Sequence, residues 1–228
     1  MTPTRIDVLS GAGPYPLLIA PGLLADLPRL MDEAGLSPRR ILVTSPVVWQ
    51  LHRDVLEPLG TDAAPILVPD GEKSKTLATV SRVYDALVRG AADRGAVVVA
   101  AGGGVIGDMV GFAAASYLRG VRLVHVPTTL MAQVDSSIGG KVGVNHPLGK
   151  NLIGAFHPPR MVAIDPDVLV TLPRREFRSG IYEVVKYGVI ASAPLLDDLE
   201  AHLPAIFARQ PAATTTAPRS AAPRTSAS

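Results

Sequence analysis

Short apolar runs alternate with amphipathic stretches along most of the chain. The apolar runs are rich in Val, Ile, Leu and Ala, which predicts buried strands, and the stretches between them have the apolar spacing of helices. The predicted strands are residues 5–9, 16–20, 40–44, 66–68, 96–101, 121–126 and 161–164. The predicted helices are residues 23–34, 48–59, 77–88, 105–118, 174–190 and 194–208.

Strands that are apolar on both faces and separated by helices predict an α/β fold, with a parallel-rich sheet covered on both sides. In such folds ligands gather at the carboxyl ends of the strands. After Pro173 the pattern becomes entirely helical, which is typical of a second, all-α domain. We therefore predict an α/β domain over residues 1–172 and the beginning of a helical domain over residues 173–208.

The last stretch, residues 209–228, is mostly Ala, Thr, Ser, Pro and Arg and has no apolar periodicity. Such a segment buries too little surface to offset the entropy of ordering it, which predicts a disordered tail. We interpret it as a frameshift product or an artificial end rather than as the continuation of the helical domain. We also expect the two helices before it to expose apolar surface.

Composition narrows the classes of function. Hydrophobic residues make up 47% of the chain and the mean hydropathy is +0.28, so a sizeable core is expected. The absence of cysteine excludes disulfides and thiolate metal sites, which fits a cytoplasmic location. The net charge of +2 includes three arginines of the tail, so we predict no nucleic-acid partner. Asp108 and several glycines interrupt the most apolar stretch, 95–118, so we predict no membrane span.

A glycine-rich turn follows the predicted strand 96–101. Gly102, Gly104 and Gly107 form the pattern Gly-x-Gly-x-x-Gly at the start of a predicted helix. Glycines there let the backbone approach a pyrophosphate, whose charge the helix N-terminus favours. The alternative is a tightly packed turn without a ligand. The next strand ends in Thr128 and Thr129 rather than in an acidic residue, so a dinucleotide would be held differently from the ordinary arrangement.

Three further segments carry charged and polar side chains. The loop 70–75 is DGEKSK, and the stretch 133–151 is polar, rich in glycine and cationic. We interpret the second as a loop that binds a small phosphorylated ligand, although a surface loop is the alternative. Glu183 and Lys186 share a helix face, where an ordinary surface ion pair is the simpler interpretation. The five histidines show no helical metal-ligand spacing.

Together these segments resemble the dehydroquinate synthase family of sugar phosphate cyclases. The resemblance covers most of the chain and is densest over residues 65–190. The matching motifs, in order, are GGGVIGD at 102–108, FAAASYLRG at 112–120, VPTTL at 126–130, VDSSIGGK at 134–141, NHPLGKN at 145–151, IGAF at 153–156, TLP at 171–173 and SGIYEVVKYG at 179–188.

The resemblance implies a Rossmann-like N-terminal domain, an all-α C-terminal domain and an active site between them. It implies conversion of 3-deoxy-D-arabino-heptulosonate 7-phosphate to 3-dehydroquinate and phosphate in the shikimate pathway, with NAD and a zinc or cobalt ion. The residues expected at NAD are Asp70, Gly71, Glu72, Lys73, Ser74, Lys75, Gly104, Val105, Ile106, Gly107, Asp108, Thr128, Thr129, Lys141, Lys150, Val168, Leu169, Val170 and Thr171. The residues expected at the sugar phosphate or in catalysis are Arg119, Asp135, Lys141, Lys150, Asn151 and Lys186.

Glu183 matches the first metal ligand of the family. His202, the one histidine after it, does not match the positions of the family's other two ligands, so we expect an incomplete metal site, weak NAD binding and little activity. Arg119 resembles an arginine that reaches a neighbouring subunit, which implies a homodimer. The alternatives are another sugar phosphate cyclase of the inosose synthase type, a metal-dependent polyol dehydrogenase and a non-catalytic NAD-binding fragment. Whichever holds, the glycine turn, the lysines beside it and Glu183 are expected to face one pocket.

Overall fold

A computed structural model describes residues 2–36, 39–61 and 64–208, so the predicted tail lies outside the described residues. The described strands are β1 (Thr4–Val8), β2 (Tyr15–Ile19), β3 (Arg40–Thr44), β4 (Ile66–Leu67), β5 (Val97–Gly102), β6 (Arg122–Pro127), β7 (Lys141–His146), β8 (Gly149–Phe156) and β9 (Met161–Ile164). The described helices are α1 (Leu23–Glu33), α2 (Pro46–Leu56), α3 (Leu77–Arg89), α4 (Gly104–Ser116), α5 (Arg174–Ala191) and α6 (Ala193–Phe207).

Seven of these strands form one sheet in the order β1-β2-β9-β6-β5-β3-β4. The first pair, β1 and β2, is antiparallel, and the other neighbouring pairs are parallel. The predicted α/β fold with a parallel-rich sheet is therefore confirmed. Parallel strands need crossover connections, which the intervening helices supply.

Helices cover both faces of the sheet and explain why the central strands are apolar throughout. Val97, Val99 and Ala101 of β5 pack on one face, in a core that includes side chains of α1 and α2. Val98 and Ala100 point to the opposite face, in a core that includes side chains of α3 and α4. Because side chains alternate along a strand, both faces are buried only if every position is apolar.

The helix N-termini differ in how they are capped. Ser45 accepts a hydrogen bond from the backbone N–H of Val48 at the start of α2, and Thr76 accepts one from Thr79 at the start of α3. Gly103, before α4, has no side chain that could cap the helix. The first backbone N–H groups of α4 therefore have no side-chain cap at its N-terminal residue, where the helix dipole is positive.

Two predicted helices end earlier than the sequence indicated. The predicted helix 48–59 is helical as far as Leu56, with a kink at His52, and is followed by a 3-10 turn over Glu57–Leu59 that contains a proline. The predicted helix 105–118 ends at Ser116, because Leu118 and Arg119 adopt left-handed backbone conformations with φ of 49° and 65°. Arg119 consequently lies on a tight turn beyond α4.

The polar stretch 133–151 was predicted to be a loop, and that prediction was wrong. It contains a π-helical turn over Ala132–Ser136 and the hairpin of β7 and β8. Val142 and Val144 of β7 are buried, and α4 packs closely against this strand. A Cβ at Gly143 would lie 2.5 Å from the carbonyl oxygen of Ile153, so glycine allows the two strands to approach. The alternation of buried and exposed positions that is typical of a strand is confined to these two valines, so it was not recognised among the glycines and lysines.

The last two helices pack on each other, and α5 also packs on the π-helical turn. Phe177 and Ile181 of α5 are buried with Leu169 and Leu172, while Val189 and Ile190 are exposed at 70% and 74%. The division into domains at residue 172 stays a prediction. Within the described residues, none of the helices has the length and apolar character that a membrane crossing requires.

His125 predicts how stability depends on pH. It is fully buried on β6, and this burial, with a smaller contribution from the charge of His157, lowers its pKa to about 4. Between pH 6.5 and 4 the unfolded chain binds a proton that the folded chain excludes, so the free energy of unfolding should fall by about 3 kcal/mol from this residue. Urea unfolding measured at several pH values should show a shallower slope for His125→Gln. The exposed His202→Gln variant should keep the parent slope, and an unchanged slope in His125→Gln would contradict the prediction.

Candidate active site

The crevice at the carboxyl ends of β3 and β5 is where the sheet reverses its direction of winding. After β3 the chain passes to α2 on one face, and after the neighbouring β5 it passes to α4 on the other face. Crevices at such points are the usual ligand sites of open α/β sheets. Thr44 ends β3, and its buried hydroxyl oxygen has no hydrogen-bond partner among the described residues. The fold therefore opens a polar crevice directly beside the glycine turn.

The glycine turn is packed so closely that side chains are excluded from it. A Cβ at Gly102 would lie 2.6 Å from the Cβ of Ile106, and one at Gly104 would lie 2.7 Å from the hydroxyl of Ser136. Ser136 is also a buried hydroxyl without a partner among the described residues. Backbone N–H groups that no side chain covers, with unpartnered hydroxyls nearby, suit the pyrophosphate of a dinucleotide.

The two threonines after β6 join this turn. The backbone N–H of Thr128 donates to the carbonyl of Gly102 at 2.9 Å. The side chain of Thr129 approaches the position of a Cβ on Gly103 to 3.0 Å, and its hydroxyl accepts from the N–H of Ala132. Both threonines thus lie beside the glycine turn, and their contact with a cofactor stays a prediction.

Lys75 is buried, with 4% of its surface exposed, and it forms hydrogen bonds with three separate segments of the chain. Its ammonium donates to the carboxylate of Asp108 in α4 and, at 2.5 Å, to the side-chain carbonyl of Asn151 in β8. Its own carbonyl accepts from the N–H of Asn145 in β7 at 2.9 Å. Burial raises the pKa of Asp108, and the charge and hydrogen bond of Lys75 oppose that rise. The loop 70–75, α4 and the hairpin are therefore held in one arrangement.

The hairpin presents its polar ends beside the same loop. The side-chain amide of Asn145 donates to Glu72 at 2.7 Å, and its oxygen accepts from the N–H of Asn151 at 2.8 Å. The ammonium of Lys150 is 3.8 Å from the carboxylate of Glu72 and its side chain is 75% exposed. An exposed cation with one long ion pair remains available to a phosphate.

Helix α5 brings its own charged groups to the π-helical turn. Lys186 pairs with Glu183, as the shared helix face predicted, and the side chain of Glu183 is only 13% exposed. The hydroxyl of Tyr187 donates to Asp135 at 3.1 Å. Burial and the negative charges of Asp135 and Glu183 raise the pKa of Tyr187. The π-helical turn that carries Asp135 packs against both α4 and α5, so it lies between the glycine turn and Glu183.

Other predicted residues lie apart from this cluster. Arg119 is exposed beyond the far end of α4, about 20 Å along the helix from its first turn. The hydroxyl of Thr171 contacts the ring Nε2 of His52 at 2.8 Å. Lys141 is exposed at the start of β7. Contacts of these residues with a ligand stay predictions.

Sequence reasoning did not single out Tyr187, Asn145, Ser136 or Thr44. Tyr187 follows Glu183 by four positions and so lies on the same helix face, a signal that was available. Asn145 is six positions from Asn151, but the hairpin turn that brings them together was not predicted. The unpartnered hydroxyls of Ser136 and Thr44 have no signature in the sequence, because their burial depends on the packing of distant segments.

A metal fits the described residues less well than a dinucleotide does. Within residues 2–36, 39–61 and 64–208, the structure contains no group of three His, Asp or Glu side chains placed to hold an ion. The carboxylate of Glu183 is engaged by Lys186 and lies near Asp135 across Tyr187.

A doubly wound α/β sheet, a glycine turn at its crevice and a cationic hairpin define a nucleotide-binding fold of the cyclase type. The family model described as 3-dehydroquinate synthase N-terminal matches residues 65–179, and the chain belongs to this family. The 3-dehydroquinate synthase of Halorhodospira halophila is 50% identical over 203 residues, which are 89% of this chain and 57% of that relative. The chain thus spans little more than half the length of this relative.

Solved structures agree with the family. The 2-epi-5-epi-valiolone synthase of Streptomyces hygroscopicus, solved with NAD+ and Zn2+ bound, matches with a TM-score of 0.82 and 36% identity over 93% of this chain and 60% of that one. A 2-deoxy-scyllo-inosose synthase complexed with carbaglucose-6-phosphate, NAD+ and Co2+ matches with a TM-score of 0.70 and 28% identity, over 80% of this chain and 50% of that one. Both are synthases by name, and both were solved with NAD+ and a divalent metal ion.

Proposed function

We propose that this chain serves as a 3-dehydroquinate synthase, a lyase that converts 3-deoxy-D-arabino-heptulosonate 7-phosphate to 3-dehydroquinate and phosphate in the shikimate pathway. The observation that carries the proposal is the cluster joined by Lys75, in which the glycine turn, the loop 70–75 and the hairpin meet. The 50% identity to a synthase of that name supports this substrate over those of the other two cyclases, at 36% and 28%.

NAD, when bound, supplies a reversible acceptor for hydride from a ring hydroxyl of the sugar. The first N–H groups of α4 would bind its pyrophosphate, and Thr128 and Thr129 would flank it. Its ribose hydroxyls suit the carboxylates of the loop 70–75. In this arrangement Lys75 holds the walls of the site in place rather than lying free in solvent.

The hairpin and α5 would hold the sugar phosphate. Lys150 is exposed and placed to bind the phosphate as a point charge, with Lys141 at the other end of the hairpin. Asp135 accepts a hydrogen bond from Tyr187 and keeps a second carboxylate oxygen for a substrate hydroxyl. Lys186 compensates the charge of Glu183 and lies on the same side.

Several parts of this proposal concern the whole enzyme. We propose Glu183 as one ligand of a divalent zinc or cobalt ion, whose site is incomplete in this chain. We propose a homodimer in which Arg119 reaches the partner subunit, and a cytoplasmic location. These rest on the family resemblance, and on the exposure of Arg119 beyond α4.

Phosphate release from the sugar phosphate tests the function. With NAD and zinc present, the 228-residue chain is expected to release phosphate slowly, because its metal site is incomplete within the described residues, and to form 3-dehydroquinate without net accumulation of NADH. Lys150→Gln should lower kcat/KM at least about tenfold, because one charge-assisted contact to phosphate is lost. Arg89→Gln on α3, which removes one exposed charge elsewhere, should leave it unchanged.

Two results would contradict the proposal. Net formation of NADH would indicate a dehydrogenase of related fold, and a cyclised product other than 3-dehydroquinate would indicate another cyclase. Calorimetry with NAD separates the remaining alternative: tight NAD binding without any turnover would identify a non-catalytic nucleotide-binding chain.

A further inference from the structure

A second polar depression, of about 480 Å³, lies at the amino-terminal edge of the sheet, where β6 begins. Tyr15 and Leu123 line it and are buried. Three arginines also line it, Arg94, Arg122 and Arg160, and they come from three segments that are distant in sequence. This concentration of guanidinium groups has no role in the candidate active site.

The positive charge of the depression is not neutralised by the described residues. None of the described lining residues is acidic, and none of the three arginines forms an ion pair with a described carboxylate. Asp93 precedes Arg94, but one oxygen of its carboxylate accepts from the N–H of Gly95 at 2.9 Å. Arginine is always charged, so an excess of positive potential remains at this edge.

Arg122 is held in place by the backbone alone. Its guanidinium donates to the carbonyl of Gly35 at 3.3 Å and to the carbonyl of Gly95. Carbonyl groups fix the orientation of the guanidinium without cancelling its charge. Arg94 and Arg160, by contrast, are exposed and can adjust to a ligand. One guanidinium group of fixed orientation and two that can adjust suit the binding of an anion with more than one charge.

The depression is separate from the candidate active site. β6 runs from Arg122 beside the depression to Pro127 beside the glycine turn, a distance of about 17 Å. Two hydrogen bonds join the lining of the depression to the segment before Lys141: the phenolic oxygen of Tyr15 accepts from the N–H of Gly139, and the N–H of His157 donates to the carbonyl of Gly140. A ligand in the depression would therefore lie against a residue that is hydrogen-bonded to the segment before Lys141.

We propose that this depression binds a small anion carrying at least two negative charges, of the chemical class of pyrophosphate, phosphate esters and polycarboxylates. The volume matches that of small-ligand sites, and the arginine forks match phosphate and carboxylate oxygens. The proposal does not depend on the reaction that the other site catalyses.

Calorimetry on the 228-residue chain at low ionic strength tests it, with pyrophosphate and citrate as probes and acetate as the singly charged comparison. Both probes, or the one whose geometry fits, should bind more tightly than acetate. The double variant Arg94→Gln/Arg160→Gln should weaken that binding at least tenfold. The matched variant Arg82→Gln/Arg89→Gln removes two exposed arginines of α3 and should leave binding within twofold.

Lys150→Gln separates this site from the candidate active site, since it should leave pyrophosphate binding unchanged while weakening the sugar phosphate. The proposal is overturned if neither probe binds, if both double variants weaken binding equally, or if Lys150→Gln abolishes it. It is also overturned if only a long polyanion such as heparin binds, because the surface would then recognise a macromolecule.

Discussion

Gly104→Val is expected to weaken NAD binding at least about a hundredfold, close to 3 kcal/mol, while the protein remains folded. A Cβ at Gly104 would lie 2.7 Å from the hydroxyl of Ser136, inside the space between the turn and the π-helical segment. The serine side chain can rotate away, so the fold tolerates the change. The added methyl groups would then occupy the volume through which the pyrophosphate approaches the N–H groups of α4.

Calorimetric titration with NAD, beside a thermal melt, measures this effect. Gly11→Val is the matched control, because a Cβ at Gly11 meets nothing within 4 Å. Gly11→Val should bind NAD as the parent chain does. Unchanged NAD affinity in Gly104→Val would show that the dinucleotide does not approach this turn, and would remove the basis of the proposed cofactor site.

Lys75→Met should lower the free energy of unfolding by about 3 kcal/mol at neutral pH. Removing one partner of a buried ion pair leaves an uncompensated charge, which typically costs about 3–5 kcal/mol of stability. Asp108 keeps some contact with solvent, so the cost here should lie at the lower end of that range. Asn151 would also lose the donor to its side-chain carbonyl. The hairpin should therefore lose protection from hydrogen exchange before the central strands do.

Lys75→Met should lose less stability, relative to the parent chain, in acid than at neutral pH. Burial already raises the pKa of Asp108, and without Lys75 that pKa rises further. Between the unfolded pKa of 3.8 and the raised folded pKa, the folded variant binds more protons than the unfolded chain, so its stability falls as pH rises through this window. Denaturant titrations of parent and variant at pH 4 and pH 7.5 check the sign.

Lys73→Met is the control for the loss of a lysine, since Lys73 is exposed in the same loop. It should change the free energy of unfolding by less than about 0.5 kcal/mol. A Lys75→Met variant as stable as Lys73→Met at pH 7.5 would show that the three segments are not held together by the buried ammonium.

Much of the fold was predictable because its signals are local. The strand 96–101 has no polar side chain, which only burial on both faces explains, and the glycine turn directly after it identifies the carboxyl edge of the sheet. The segments 70–75 and 102–108 each follow a strand, and parallel strands bring their carboxyl ends to one edge. The hairpin was missed because its period-two signal is confined to Val142 and Val144, between glycines and lysines.

The amino-acid sequence by itself determined the family, the α/β class and most of the polar residues at the crevice, because each is encoded in short contiguous motifs. Only the tertiary structure decided that Lys75 is buried and bonded to Asp108 and Asn151, and that Tyr187 donates a hydrogen bond to Asp135. It also gathered Arg94, Arg122 and Arg160 at the opposite edge. Burial and charge compensation depend on which distant segments pack together, and that information is distributed over the whole chain rather than written beside any one residue.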